Sequence, residues 1–188
     1  MNRQIEFFYD VMSPYSHLAY WRLPGVAKRS ASAVVLRPIT LPKLLALTDN
    51  PDPQQVPAKR AYIQQDLEAL SRYYGIPLEW PEAGPVASEN AMALLTMLEG
   101  NAQAEMTKRL FEAVWVDSIN IADPALLAEL VGAEQWDLAE SEEAQQRLQA
   151  NTQEAFERGA FGVPSCFAGD RLFFGNERLF LLQMHLNA

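Results

Sequence analysis

Cysteine and histidine are the scarcest chemically useful residues in this chain. Its 188 residues hold one cysteine, Cys166, and two histidines, His17 and His185. A single thiol excludes an internal disulfide, a CxxC redox pair and a cysteine-rich zinc site, and two distant histidines are a poor basis for any metal centre. Glycine is also sparse, at 9 residues against 49% apolar ones, which excludes collagen-like repetition and wholesale disorder. Positive charge is in deficit: 15 Lys and Arg face 24 Asp and Glu, for a formal net charge of −9. A general nucleic-acid or anionic-membrane binder needs a net basic face, so only a local basic pocket for one small anion is left open. Apolar runs are short. Nothing approaches the ~20 apolar residues of a membrane span, and the stretch from Met1 to Asp10 lacks a signal-peptide pattern, so the cytoplasm is the expected compartment.

What is present alternates between strand and helix signals. Ile5-Glu6-Phe7-Phe8-Tyr9 is β-prone and reads as a buried strand. Ser13-Pro14 starts a helix, with Ser as N-cap and Pro at the first helical position, and Pro24-Gly25 is expected to kink or end it. Val34-Val35-Leu36 before Arg37-Pro38 is a second strand, so residues 4–40 form a βαβ unit with a right-handed crossover. From 55 to 135 the pattern is helical throughout: Pro57 to Tyr74 stopped by Gly75, then Ser88 to Leu98, Ala102 to Val116, and a helix from Asp123-Pro124. Pro81 to Pro85 reads as irregular. Ser141-Glu142-Glu143 opens a further helix to Arg158, stopped by Gly159. Ser165-Cys166-Phe167 and Arg171-Leu172-Phe173-Phe174 form a hairpin around Ala168-Gly169-Asp170, and Asn176 is expected to cap a terminal helix. The sum is one α/β domain, 1–54 with 136–188, interrupted by an all-helical insertion at 55–135.

Three segments carry candidate chemistry. Ser13-Pro14-Tyr15-Ser16 lies between a buried strand and a helix, where free N–H groups and the macrodipole favour an anion by ~0.3–2 kcal/mol. Cysteines in the two serine positions would make a redox dithiol. Serine instead leaves either a plain N-cap or a site that stabilises a thiolate brought in by another molecule. In Phe161-Gly162-Val163-Pro164-Ser165, a trans proline marks a strand edge. A cis one would turn the Val163 backbone toward a peptide-like ligand. Gly175-Asn176-Glu177-Arg178 is either an ordinary helix start or a cradle for a ligand carboxylate, with Asn176 as donor and Glu177 as partner for an ammonium. Lys43, Asn50 and Lys59 are candidates for holding a substrate carboxylate, and Cys166 reads as a small buried apolar residue.

These segments follow one another in the order of a thioredoxin-like fold, and the sequence resembles a known group. The matching stretches are Phe8-Tyr9-Asp10 through Ser13-Pro14-Tyr15-Ser16, Pro57-Ala58-Lys59 with Tyr62 and Asp66-Leu67, Tyr74-Gly75-Ile76-Pro77-Leu78, Ala113-Val114-Trp115, Phe161-Gly162-Val163-Pro164 and Phe174-Gly175-Asn176-Glu177-Arg178-Leu179. Together they resemble the 2-hydroxychromene-2-carboxylate isomerases and, more broadly, the kappa-class glutathione transferases of the DsbA-like thioredoxin superfamily.

The resemblance implies a DsbA-like sheet flanked by helices, a homodimer, and glutathione as cofactor. It assigns Ser13 to the glutathione sulfur, Val163 before a cis Pro164 to the cysteinyl backbone, and Asn176 and Glu177 to the γ-glutamyl end. The implied reaction is cis–trans isomerisation of an unsaturated aromatic or conjugated keto acid by reversible thiolate addition. A conjugating glutathione transferase and a non-redox binding module are the alternatives. A thiol–disulfide oxidoreductase is excluded, because serine forms no mixed disulfide. Three positions depart from the group's pattern: Glu177 stands where Asp is usual, Ala69 where Arg is common, and Asp52-Pro53-Gln54-Gln55 replaces an Asn-rich loop.

Overall fold

The structure, a computed structural model, describes residues 3–81 and 87–188. Most of the Pro81 to Pro85 stretch lies outside the described residues. Strand β1 (Arg3–Tyr9) leads through helix α1 (Pro14–Arg29) to a parallel partner, β2 (Ser32–Pro38), with Phe7 opposite Leu36. This is the βαβ crossover expected from the sequence. Strands β3 (Ser165–Ala168) and β4 (Arg171–Phe174) form the anticipated hairpin, and β3 pairs antiparallel with β1, placing Cys166 opposite Phe7. The sheet order is β2-β1-β3-β4, so β1 is central and paired on both edges. Between β2 and β3 run α2 (Leu41–Leu47), a 3-10 turn (Pro53–Gln55), α3 (Pro57–Tyr74), α4 (Glu89–Met97), α5 (Gly100–Trp115), α6 (Pro124–Val131), α7 (Ala133–Ala139) and α8 (Glu142–Glu157). After β4 a second 3-10 turn (Asn176–Arg178) leads into α9 (Leu179–Asn187).

Strand alternation decides what each face of β1 buries. Ile5, Phe7 and Tyr9 point one way, into a cluster that takes in Leu94 of α4, Phe111 and Trp115 of α5, and Leu182 of α9. Phe8 points the other way, onto Ile39, Leu44 of α2, Ala155 of α8, Val163 and Phe167. Each such side chain contributes about 1.5–3 kcal/mol by leaving water. Both faces of the sheet are therefore covered, which holds the C-terminal end of β1, where Ser13 follows, inside the protein.

Four local features differ from expectation. Of the two outcomes expected at Pro24, an end to α1 is not found, since the helix continues to Arg29. A proline within a helix removes one backbone hydrogen bond, and the buried stripe of Leu23, Val26 and Ala27 runs straight past it, so packing outweighs the loss. The helices α2 and α7, seven residues each, have too few turns for periodicity to reveal them. Asn176 is not a side-chain cap: it sits in the 3-10 turn with its Oδ1 bonded to Arg22, and α9 starts only at Leu179.

Candidate active site

Ser13 occupies the N-cap of α1. Its backbone N–H donates to the Asp10 carbonyl at 3.0 Å, its carbonyl accepts the first helical bond from His17, and its Oγ accepts from the Ser16 N–H at 3.2 Å. Among the described residues, no protein acceptor takes the Ser13 O–H hydrogen. That hydrogen, with the first-turn N–H of Tyr15 and the positive end of a 16-residue helix, faces a cavity of about 750 Å³. Such a volume lies within the usual small-molecule range of about 300–1,000 Å³.

Asp10 fixes this corner from below. Its buried carboxylate accepts from Met12 N–H at 3.0 Å, Leu41 N–H at 2.8 Å and Ser88 Oγ–H at 2.6 Å, joining the Ser13 turn to the starts of α2 and α4. Burial pushes the Asp10 carboxyl up to about 6, and those three donors hold it back.

Another part of the same wall is built from the loop before β3. Val163–Pro164 is a cis peptide bond. Val163 lines the cavity, and among the described residues neither its N–H nor its carbonyl has a backbone partner. The Pro164 carbonyl accepts from the Gly175 N–H at 2.9 Å, which ties this loop to the turn carrying Asn176 and Glu177. A Cβ at Gly162 would sit 3.0 Å from the Phe174 ring that closes the same wall, so any larger residue there has to displace that ring. In the 175–178 turn, Arg22 of α1 donates to both the Asn176 carbonyl, at 2.7 Å, and its Oδ1, while stacking 3.9 Å over the Tyr74 ring. The Asn176 amide nitrogen is left buried and unpartnered. The Glu177 carboxylate folds back over Gly175, whose φ of +95° admits it because no Cβ is present.

The candidate residues thus separate into groups. Ser13, Val163 and Asn50 line the cavity; Pro164, Asn176 and Glu177 lie behind its wall, joined to it through Gly175. Asn50 donates its amide to the Phe161 carbonyl at 2.9 Å. Lys43 points away and pairs with Glu89 at 2.7 Å on the surface. Lys59 lies in an adjoining shallow groove with Ala58 and Tyr62 that shares Tyr15, Pro53 and Ile63 with the main cavity. Cys166 is buried and its thiol is pushed up to about 12 by burial, so it supplies no nucleophile at neutral pH. Among the described residues no cluster of His, Cys, Asp or Glu could hold a metal, and no helix is long and apolar enough to cross a membrane.

A known domain matches this arrangement over residues 4–187: the DSBA-like thioredoxin domain. The chain belongs to that family. Among related proteins, 2-hydroxychromene-2-carboxylate isomerase of Sphingobium xenophagum is 32% identical over 99% of each chain. Glutathione S-transferase kappa 1 of Rattus norvegicus is 29% identical, over 96% of this chain and 89% of its own. A solved structure of 2-hydroxychromene-2-carboxylate isomerase superposes with a TM-score of 0.85 at 30% identity, covering 97% of this chain and 94% of that one. Both names are those of enzymes, which supports an enzyme here as well.

Within this DSBA-like domain, sequence reasoning missed several residues that shape the site. Tyr15 donates to Asp66 at 2.8 Å and so braces α1 against α3. Arg22 holds Asn176, and Asp49 and Asp52 contribute the charged part of the cavity lining. Tyr15 and Asp66 had a signal as members of matching stretches, and Asp52 as part of the departing loop; the role of Arg22 depends on a contact between distant segments.

Proposed function

We propose that this chain is a glutathione-dependent cis–trans isomerase of a conjugated keto compound, of the 2-hydroxychromene-2-carboxylate isomerase type. The carrying observation is a serine N-cap whose hydroxyl hydrogen is uncommitted, at a helix start, in a cavity that the unpaired backbone of Val163 also lines. The residues present fit a glutathione-like tripeptide on grounds of their own: an unpaired N–H and carbonyl at Val163 suit a peptide unit, and the Ser13 hydroxyl at a helix start suits a thiolate in the same cavity.

When bound, glutathione would supply a nucleophilic thiolate for reversible addition to the conjugated system, whose double bond becomes free to rotate while the sulfur is attached. Ser13 donates a hydrogen bond to the sulfur, and the N-terminus of α1 favours its negative charge. Val163 orients the cysteinyl unit, Asn176 and Glu177 receive the γ-glutamyl end, and Lys59 or Asn50 meets a carboxylate at the groove end. The apolar wall of Leu41, Leu45 and Phe174 excludes water from the reacting carbon. An unsaturated aromatic keto acid, the acceptor class suggested by the relatives' names, is the first to try. The same reading takes the protein as a cytoplasmic homodimer, and the exposed apolar Phe180 and Met184 of α9 support a covered face.

The relationship to kappa transferases favours one second reading, conjugation instead of isomerisation. Stoichiometry separates the two: an isomerase returns free glutathione unchanged, whereas a transferase depletes it one for one. Under the isomerase reading, Ser13→Ala lowers glutathione-dependent turnover at least about a hundredfold with an unchanged circular dichroism spectrum. Full activity in that variant would refute the assignment of Ser13. Glu177→Gln should weaken glutathione binding about tenfold by calorimetry, and an unchanged affinity would move the γ-glutamyl end elsewhere.

A further inference from the structure

Strand β4 ends in two phenylalanines that strand alternation sends to opposite faces. Phe173 is buried in the core, whereas Phe174 turns the other way, lines the cavity that holds Ser13 and Val163, and stays 37% exposed. The loop 161–164 wraps its ring. A Cβ on Gly162 would lie 3.0 Å from a ring atom of Phe174, so the loop backbone passes close by, and the Phe161 ring packs 4.5 Å away between centroids, tilted by 46°. That loop is itself tied down at three carbonyls: Phe161 accepts from Asn50, Gly162 from the Ser165 hydroxyl at 2.8 Å, and Pro164 from the Gly175 N–H at 2.9 Å. Phe174 is thus a braced ring whose remaining surface lines the cavity.

The rest of the lining sorts by chemistry. Leu41, Leu45 and Ile63 are aliphatic, while Asn50, Gln54 and Gln55 on the segment after α2 are polar, with Lys59 in the adjoining groove. Tyr15, the other aromatic lining residue among the described ones, is braced to Asp66 and shared with the Lys59 groove. A keto acid therefore meets amides and Lys59 for its carboxylate, and a fixed ring without polar atoms for its other end. We infer that Phe174 is a specificity-determining residue for the acceptor, selecting an aromatic substituent on the carbon that receives the sulfur over an aliphatic one of equal size. The inference rests on the thiolate reading above and adds which residue reads that substituent. Offset or edge-on ring pairs gain beyond the area they bury, and a ring already held in place gives up little motion on binding. The aliphatic wall makes no such distinction, because it gains by area alone.

The test uses two acceptors, cis-4-phenyl-2-oxobut-3-enoate and cis-4-cyclohexyl-2-oxobut-3-enoate, whose common carboxylate cancels in a ratio. Their isomerisation is followed by ultraviolet absorbance with the full chain and glutathione, and each rate is divided by that with glutathione alone. The acceleration should be about three- to tenfold greater for the phenyl compound. Phe174→Leu should bring that ratio to within about twofold of one, by raising KM for the phenyl compound, and Phe174→Tyr should preserve it. Phe174→Met takes the place of the leucine variant if that one fails to fold. Leu45→Ala should slow both acceptors alike and leave the ratio unchanged. A parent ratio of one or below overturns the inference, as does a ratio that survives in Phe174→Leu or one that falls with Leu45 instead.

Calorimetry with glutathione alone, run beside these assays, separates the two readings. The affinity of Phe174→Leu should stay within about threefold of the parent's, and a larger loss overturns the inference by assigning the ring to the tripeptide. Binding to the parent without a phenyl preference refutes the role of Phe174 and leaves the thiolate reading standing. Absence of binding, or binding without acceleration of either acceptor, refutes the isomerase reading, and the inference falls with it.

Discussion

Asp10 and His17 flank Ser13, one at the end of β1 and the other in the first turn of α1, and neither has exposed surface. Burial moves them in opposite directions: the Asp10 carboxyl up to about 6, the His17 imidazole down to about 4. Their surroundings differ as much. Asp10 accepts from three segments, two of which line the cavity, whereas the His17 ring reaches only the Pro77 carbonyl through Nε2, at 2.9 Å, with Nδ1 unpartnered. His17 otherwise packs its ring against Phe111 and Trp21. Asp10 therefore holds the site's shape, while His17 fills space as a neutral ring. A titratable side chain near a reactive position gains a role from what it ties together, and its distance along the chain says little.

The comparison breaks most visibly if Asp10 is removed. Asp10→Ala leaves two N–H groups and a hydroxyl without their acceptor and should cost about 3–4 kcal/mol in urea unfolding. A loss below about 1 kcal/mol would reduce Asp10 to the status assigned to His17.

The pH dependence sharpens the contrast. The folded Asp10 carboxyl lies above its ordinary 3.8, so between about 4 and 6 the folded state binds more protons than the unfolded one, and the contribution of Asp10 falls as pH rises. The folded His17 lies below its ordinary 6.5, so its contribution is full above that value and is lost as pH falls toward about 4. The two largely offset each other in the parent protein. Relative to it, Asp10→Asn should add a rise in stability from pH 4 to 6, and His17→Gln a fall, each on the order of 2 kcal/mol by chemical denaturation. The same sign in both variants would contradict the opposed shifts. At pH 7, His17→Gln should cost only about 1–2 kcal/mol, since one hydrogen bond and some packing are lost.

The smallest effect belongs to a residue outside the site. The Lys43–Glu89 pair has side chains 52% and 48% exposed, so Lys43→Ala should change stability by no more than about 1 kcal/mol and leave turnover nearly untouched. A tenfold fall in turnover would place Lys43 in contact with substrate after all.

Local signals made much of this fold legible. The Ser13-Pro14 start, the Gly75 stop of α3 and the Gly169-Asp170 turn are each written within a few residues, and β1 announces itself by composition. Packing over long distances was not legible. Pro24 reads as a stop because propensity is local, while the buried stripe that carries α1 past it is tertiary. Asn50 bonds a carbonyl 111 positions away and Arg22 grips Asn176 across 154, so neither arrangement has a sequence signal. The Ser13 and Val163 wall follows from motif and sheet order. The α2 wall and the surface pairing of Lys43 depend on a seven-residue helix and an ion pair that only the structure supplies.

The proposed chemistry requires the protein to lower the pKa of a thiol it does not itself possess. The direct measurement is an ultraviolet titration of enzyme-bound glutathione, following thiolate absorbance against pH in the parent protein and in Ser13→Ala. The bound thiol pKa should lie at least about one unit below that of free glutathione and return most of the way in the variant. A bound pKa equal to the free value, or an equal depression in both proteins, would contradict it.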